Sequence, residues 1–137
     1  MNGNESLAYL VSHLNLELQN ALDSRLKHYR IDLKLWPVLF ALWQEEGISQ
    51  TELSRRCGVA NYTMTRLLDQ LQGLGLIVRH QEEDNRRTFL IYLTTQAKAM
   101  EPDLIREAER VNDSFLDKLD EGERLQLLAL LNKLNRR

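Results

Sequence analysis

Residues 49–94 decide the fold, and they read SQTELSRRCGVANYTMTRLLDQLQGLGLIVRHQEEDNRRTFLIYLT. The stretch opens with a helical pattern, turns at Gly58 and continues with a second helical pattern over residues 61–74. Two β-like runs, residues 76–80 and 88–94, then flank a polar segment. Helix, turn, helix and hairpin in this order predict a winged helix-turn-helix.

The second helix of this motif has one apolar stripe and one polar face. Its apolar residues recur at helical spacing, at Met64, Leu67, Leu68, Leu71 and Leu74. We predict that Asn61 caps this helix, because Ala60 offers no side-chain acceptor. The amino end of a recognition helix enters the major groove of duplex DNA, where amide, hydroxyl and guanidinium groups reach base edges and phosphates. We therefore expect DNA contacts from the polar face, namely Asn61, Tyr62, Thr63, Thr65 and Arg66.

Local signals set the limits of the two preceding helices. Pro37 is tolerated only in a first helical turn, so a helix is expected to begin near Leu35 or Trp36. The same helix is expected to end at Gly47, which can adopt a left-handed cap. Ser49 and Glu52 have the spacing of a capping box and predict the start of the next helix.

The polar segment between the two β-like runs predicts a wing that carries arginines. An arginine at the tip of a hairpin can enter the narrow minor groove while the helix occupies the adjacent major groove. We place Arg86 at the tip and Arg87 on the phosphate backbone or on Asp84, with little in the sequence to separate the two arginines.

Both ends of the chain predict helices that meet a second copy. Residues 5–29 form one amphipathic pattern, which at 1.5 Å per residue would span ~37 Å, longer than so small a domain needs. Residues 97–119 and a following segment return to helical spacing. The last segment carries six leucines, and burying each is worth ~1.5–3 kcal/mol, so we expect a homodimer. These leucines are Leu125, Leu127, Leu128, Leu130, Leu131 and Leu134.

Length and composition indicate one structural domain with three regions. A chain of 137 residues with 43% apolar content can form a single hydrophobic core. We assign residues 1–34 to an N-terminal dimerisation helix, 35–94 to the winged helix-turn-helix region and 95–137 to C-terminal dimerisation helices. The predicted fold class is mainly α, with about six helices and a small β-hairpin wing.

The charge distribution confines the expected DNA contacts to the middle of the chain. The net charge of −2 is unusual for a nucleic-acid binder, which often carries a basic excess. Residues 50–94 hold six basic and five acidic side chains, whereas the segments on either side are both net acidic. We expect the acidic remainder to repel DNA from every other face.

The single cysteine and the absence of apolar runs favour a cytoplasmic protein. One cysteine, Cys57, cannot form an intramolecular disulfide. Its position four residues after Leu53 favours a buried small side chain over a redox sensor, which would need an exposed thiolate. The N-terminus lacks the pattern of a signal peptide, and no stretch approaches 18 apolar residues, so no membrane partner is expected.

Several motifs taken together resemble the MarR family of bacterial regulators. The resemblance covers about a third of the chain closely, and the flanking helices match in order and length. As a set the motifs are specific, although each alone is weak. They are TEL at 51–53, CGV at 57–59, TMTRLLDQL at 63–71, GLIVR at 75–79, DNRR at 84–87 and LT at 93–94.

The resemblance implies a homodimer whose first and last helices interlock and whose two recognition helices bind a palindromic double-stranded operator. Typical members are repressors released by small phenolic or anionic ligands, by oxidants or by metals, whereas others activate. Two positions depart from the family pattern, since Asn85 stands where many members carry the wing aspartate and Ala60 replaces a small polar residue.

The ligand pocket of the family lies between the first helices and the DNA-binding region. The best aromatic group here makes Tyr9, His13, Trp36 and Phe40 the candidate pocket residues for an aromatic or phenolic effector, although aromatic residues at helical spacing are more often core. The sequence shows no catalytic constellation, no cofactor motif and no cluster with metal-ligand spacing. Two alternatives remain open: a regulator without ligand response, and a winged helix used for protein contacts.

Overall fold

Six α-helices and a three-stranded antiparallel sheet are present in the computed structural model, which describes residues 1–136 without the side chain of Arg86. The mainly α fold class with about six helices is therefore confirmed. The helices are α1 (Leu7–Leu26), α2 (Trp36–Gln44), α3 (Gln50–Cys57), α4 (Asn61–Gly73), α5 (Thr95–Leu116) and α6 (Glu121–Asn135). The strands are β1 (Ile48–Ser49), β2 (Ile77–Glu82) and β3 (Asn85–Leu93), in the order β1-β3-β2.

The start of α2 matches the sequence prediction, but its end does not. The helix begins at Trp36 with Pro37 in its first turn, and it ends at Gln44 rather than at Gly47. Gly47 adopts the expected left-handed conformation, with φ of 76°, yet its N–H donates to the carbonyl of Ile91 at 2.7 Å. Because Gly47 leads directly into β1, its backbone serves the sheet and does not cap the helix.

The two-residue strand β1 joins the hairpin to the helix-turn-helix. Ile48 lies opposite Ile91 and Ser49 lies opposite Leu90. A two-residue strand has no periodicity, so this pairing could not be predicted from the sequence. Because Ser49 also precedes α3 directly, the wing is hydrogen-bonded to the segment that starts the helix-turn-helix.

The predicted capping box at α3 is half confirmed. Ser49 Oγ accepts a hydrogen bond from the backbone N–H of Glu52 at 3.1 Å, as expected. The Glu52 carboxylate does not return to the cap and instead pairs with Arg55 and Arg56. A charged donor stabilises a carboxylate more strongly than one backbone N–H does, which explains the departure.

One buried cluster holds the helices and the sheet together. The α4 stripe contributes Met64, Leu68 and Leu71, which have no exposed surface, whereas Leu74 is 46% exposed because it follows the last turn of the helix. The stripe prediction is therefore right for the helix interior and wrong for Leu74. Other members of the core come from every region between the end of α1 and α5, among them Leu26, Leu39, Leu53, Ile91 and Leu104.

The terminal helices contact each other but leave much apolar surface uncovered. α1 packs against α5, and the Arg25 guanidinium on α1 donates to the Glu107 carboxylate on α5 at 2.9 Å. This donor holds the pKa of Glu107 below its usual range. Within residues 121–135, which form α6, no side chain is buried. Its exposed leucines are Leu125, Leu128, Leu130, Leu131 and Leu134.

Candidate nucleic-acid interface

The turn between α3 and α4 is closed by backbone and side-chain hydrogen bonds. Gly58 is left-handed, with φ of 68°, which suits a residue without a Cβ atom at the end of α3. Asn61 is the first residue of α4 and not its cap, so the capping prediction is wrong. Its side-chain Oδ1 instead accepts from the hydroxyl of the buried Ser54 at 2.9 Å. This tertiary partner lies on α3 and competes with the local capping bond.

Gln50 connects the start of α3 to the amino end of α4. Its Nε2 donates to Thr65 Oγ1 at 2.7 Å and to the Asn61 carbonyl at 3.2 Å. Sequence reasoning did not single out Gln50, because the residues it joins lie 11 and 15 positions further along the chain. The only local signal was its position after the predicted cap Ser49.

The remaining polar face of α4 points into solvent to different degrees. Tyr62 is 74% exposed, Arg66 is exposed and Thr63 is half-buried. Within residues 1–136, the Arg66 guanidinium has no hydrogen-bond or ion-pair partner. An arginine at this place is therefore available to an external acceptor such as a phosphate or a guanine edge.

The wing differs from its predicted form at the tip. Its turn consists of Glu83 and Asp84, and β3 already begins at Asn85, so the arginines follow the tip rather than occupy it. The longer strands result from pairing of Glu82 with Asn85. Predicted contact residue Arg86 lies in β3, and its side chain falls outside the described part of the structure.

A bulge near the tip carries the arginine pair out of the ladder. Gln81 pairs with Phe89, but the next pair is Glu82 with Asn85, so three consecutive residues of β3 have no opposing position on β2. These residues are Arg86, Arg87 and Thr88. The backbone N–H of Arg87 donates to Asn85 Oδ1 at 3.1 Å, which shapes the bulge, and the Arg87 side chain is exposed.

A polar groove of about 260 Å³ joins the recognition helix to the wing. Asn61 from α4 and Arg87 from β3 both line it, so the helix start and the arginine-bearing bulge open on the same face of the molecule. The amino end of α3 completes the groove. Its other lining residues are Ser49, Gln50, Thr51, Thr88 and Phe89.

Arg79 on β2 connects the wing to α4. The Arg79 guanidinium on β2 donates to Asp69 Oδ1 at 2.9 Å, to Gln72 Oε1 at 2.6 Å and to the Thr65 carbonyl at 3.3 Å. The sequence suggested Arg79 only as one of several basic residues of this region. In the structure its guanidinium is hydrogen-bonded to α4 and positions the wing and α4 relative to each other.

Two further arginines of the segment are engaged by carboxylates. Arg55 and Arg56 both donate to Glu52, and Arg56 also donates to Glu45 on the loop after α2 at 2.7 Å. The hydrogen bonds from Arg55 and then Arg56 lower the pKa of Glu52 to about 2. The positive charge expected from this pair is thus largely compensated, which leaves Arg66 and Arg87 as the more available cations on the face.

Cys57 has the surroundings of a structural thiol. It is half-buried, and its Sγ lies 3.7 Å from the carbonyl of Pro37. Burial raises the pKa of the thiol, which keeps it protonated and poorly nucleophilic. These surroundings agree with the interpretation of Cys57 as a small core residue.

A cavity of about 330 Å³ lies between α1, α2 and α5. Trp36 and Phe40 line it, with ring centroids 5.9 Å apart, whereas Tyr9 and His13 do not. The two latter rings stack on each other at 6.2 Å on exposed turns of α1, before the first α1 residue of the cavity, Asn15. Tyr9 and His13 therefore lie on α1 beyond the cavity. Of the four predicted pocket residues, only Trp36 and Phe40 line it.

The cavity wall is apolar with a few amides. Its polar side chains are Asn15, Gln19 and Asn112, and no charged side chain is among the described residues that line it. The Trp43 Nε1 donates to the carbonyl of Ala97 at 3.1 Å and ties α2 to α5 beside this region. An uncharged aromatic molecule would find apolar walls and amide partners here.

Two of the three histidines, His13 and His80, have partners of their own. His13 lies 3.1 Å from Glu17 one turn along α1, and His80 packs edge-on against Tyr92 at a centroid distance of 5.4 Å. Over residues 1–136, no three or more His, Cys, Asp and Glu side chains are grouped so that they could hold a metal ion. None of the helices in that range is long and apolar enough to cross a bilayer.

Comparison with known proteins gives a consistent result. The model of the MarR family matches residues 31–89. The transcriptional regulator TtmR of Methylorubrum extorquens (strain PA1) is 31% identical to this chain over the matched residues. The match covers 58% of this chain but only 41% of the length of that relative.

Solved structures extend the likeness to nearly the whole chain. A MarR transcriptional regulator from Methanosarcina mazei Go1 superposes with a TM-score of 0.89 at 25% identity, covering 93% of this chain and 92% of the other. The repressor CouR, solved bound to a 23-mer DNA duplex, superposes with a TM-score of 0.87 at 25% identity, covering 97% of this chain and 94% of the other.

Proposed function

Because this chain belongs to the MarR family of winged helix-turn-helix transcriptional regulators, we propose that it is a homodimeric repressor that binds a palindromic operator and is released by a small aromatic ligand. DNA binding and transcriptional regulation follow from the family, which is not a family of enzymes. The repressor role and the ligand response are carried over from typical members.

The observation that carries the DNA-binding mode is the shared groove between Asn61 and Arg87. Tyr62 and Arg66 extend from the same helix end into solvent, where the amino end of α4 can enter a major groove. Arg86 and Arg87, after the acidic tip, then reach the backbone or the minor groove beside it. Asn61, Thr63 and Thr65 complete the proposed contact set.

Dimerisation is supported by the uncovered apolar surface of the terminal helices. Leu7 and Val11 of α1 lie beside Leu131 and Leu134 of α6 around one open cavity, so the exposed residues of the two helices form a continuous surface. Monomeric proteins rarely leave so many large apolar side chains in water. Residues 1–34 and 95–137 accordingly form the dimerisation region, and residues 35–94 the DNA-binding region.

The cavity between α1, α2 and α5 is the proposed effector site. It touches α1 and α5, which belong to the dimerisation region, and also α2, which packs on α3. A ligand that favours one spacing of these helices would shift the distance between two recognition helices. Trp36 and Phe40 supply the aromatic walls, and Tyr9 and His13 stay outside the site within one chain.

Titration of DNA binding against salt tests the proposed interface. Duplexes selected by the full-length protein from a random pool would be titrated with wild type, with Arg86→Ala/Arg87→Ala and with Arg106→Ala, which removes an exposed arginine of α5. The wing variant should bind more weakly, and the slope of log affinity against log salt should fall by about 1 for each lost phosphate contact. The Arg106 control should behave as wild type. Unchanged slope and affinity in the wing variant would refute the interface, and failure to select any duplex would refute operator binding.

A further inference from the structure

Gln50 holds Thr65 in a defined hydrogen-bond arrangement at the amino end of α4. The nitrogen of its amide is the atom that faces α4, because it lies 3.2 Å from the Asn61 carbonyl and a carbonyl oxygen can only accept. The same nitrogen lies 2.7 Å from Thr65 Oγ1. Gln50 therefore donates to the threonine hydroxyl, which must accept.

The hydroxyl of Thr65 has a single proton, and that proton is also committed. Thr65 Oγ1 donates to the Asn61 carbonyl, one turn back along α4, at 3.0 Å. A hydroxyl offers one donor and two acceptor lone pairs. With the proton given to Asn61 and one lone pair used by Gln50, a single lone pair remains for an external partner. The residue itself is exposed to solvent.

This arrangement distinguishes the four bases in a major groove. Adenine N6 and cytosine N4 carry amino donors there, whereas guanine O6 and N7 and thymine O4 are acceptors. A lone pair from Thr65 can receive a hydrogen bond from either amino group. Opposite a guanine or thymine it would face another acceptor, and one of the two would lose its water without gaining a partner.

We propose that Gln50 makes Thr65 an acceptor toward DNA, so that each half-site must present an exocyclic amino group, from adenine or cytosine, on the strand that faces Thr65. Gln50 acts here as a positioning residue, since it works through Thr65. The inference rests on the proposed DNA-binding role of α4, but it adds a base class at one position of the operator.

This assignment is tested by measuring the base preference of the full-length protein, in the oligomeric state in which it is purified. Wild type, Gln50→Ala, Thr65→Val and the double variant would each be incubated with a pool of randomised duplexes, and bound sequences counted. Gln44→Ala is the matched control, because it removes an exposed glutamine at the end of α2 that lies outside the groove. Thermal melting of each variant would check that it is folded.

The expected pattern is specific to one position of each half-site. Wild type and Gln44→Ala should favour adenine or cytosine there by about fivefold, the factor that corresponds to one hydrogen bond of ~1 kcal/mol. Gln50→Ala should relax the preference, because the freed hydroxyl can rotate and donate to guanine or thymine. Thr65→Val should abolish it, and adding Gln50→Ala to Thr65→Val should change nothing more.

Chemical substitution of the base provides an independent readout. Purine in place of adenine, or 2-pyrimidinone in place of cytosine, removes only the amino group, and it should weaken wild type about fivefold while leaving Thr65→Val unaffected. The inference is overturned if Gln50→Ala keeps the full preference, or if Thr65→Val alters no position while the variant lacking Arg86 and Arg87 still loses affinity. In that second case the DNA-binding proposal survives and only the role of Gln50 falls.

Discussion

Arg79 of β2 and Asp69 of α4 are joined by a hydrogen-bonded ion pair of 2.9 Å that spans the gap between wing and recognition helix. The arginine side chain is 19% exposed and the carboxylate 64% exposed. Because the same guanidinium also reaches Gln72 and the Thr65 carbonyl, it holds the wing at a fixed angle to α4.

Replacing Arg79 should loosen this angle. We expect Arg79→Ala to lower the free energy of unfolding by about 1 kcal/mol, a modest loss because the exposed carboxylate is well screened. DNA affinity should fall as well, since helix and wing would no longer be preset to one groove spacing. Urea denaturation and DNA titration measure the two effects. In a double-mutant cycle with Asp69→Ala, strictly additive losses would contradict a direct link between the two residues.

The exposed leucines of α6 should hold two copies together. We expect Leu125→Glu/Leu128→Glu to convert a dimer into a monomer, because each buried leucine contributes ~1.5–3 kcal/mol and a carboxylate cannot be buried unpaired. Sedimentation velocity or light scattering measures the mass. Gln126→Glu adds one charge to the same helix, but at a position that is already polar, and should leave the dimer intact. A monomeric wild type at micromolar concentration would refute the proposed dimer.

The cavity beside Trp36 and Phe40 should prefer uncharged ligands. For an aromatic carboxylate and its primary amide, we expect the amide to raise the melting temperature more, because the described residues that line the cavity include no cation to pair with a carboxylate. The same amide should weaken DNA binding. Ala108→Leu, which adds atoms inside the cavity, should abolish both effects without unfolding the protein. Stronger binding of the carboxylate than of the amide would contradict the assignment.

The Glu52 cluster should contribute to stability in a defined pH range. The pKa of Glu52 is lowered from 4.5 in the unfolded chain to about 2 in the fold, so its contribution is fully present above pH 4.5 and is lost as pH falls through about 2. Glu52→Gln should therefore be less stable than wild type at neutral pH, and the difference should shrink as the pH approaches 2. Denaturant melts at several pH values test this, with Glu121→Gln, an exposed glutamate of α6, as the control. A difference independent of pH between 2 and 6 would contradict it.

The sequence was informative wherever structure depends on neighbours along the chain. The stripe from Met64 to Leu71 was predicted because helical periodicity is local, and Pro37 marked the start of α2 for the same reason. Predictions failed where a distant group competes with the local one. Asn61 was predicted as a cap, but its side chain accepts from Ser54 instead.

The predictions of site residues also depended on whether the signal was local or came from distant residues. The polar face of α4 and the arginine pair of the wing were predicted from residue type and position, and their contact with DNA stays a prediction. Gln50 and the role of Arg79 were missed, since the residues they bind lie between 7 and 15 positions away. Tyr9 and His13 were grouped with Trp36 by chemical likeness, but only the path of α1 shows that they lie beyond the cavity.

Because of the bulge in β3, the length of the wing does not affect the register of the sheet. Pairing of Gln81 with Phe89, together with the hydrogen bond from the Gly47 N–H to the Ile91 carbonyl, fixes the base of the hairpin, whereas the residues between Asn85 and Phe89 have no opposing position on β2. Insertion or deletion of a residue in this interval changes how far the arginines extend while the core and the helix contacts keep their places. One short interval of the chain therefore sets the length of the wing without affecting the rest of the fold.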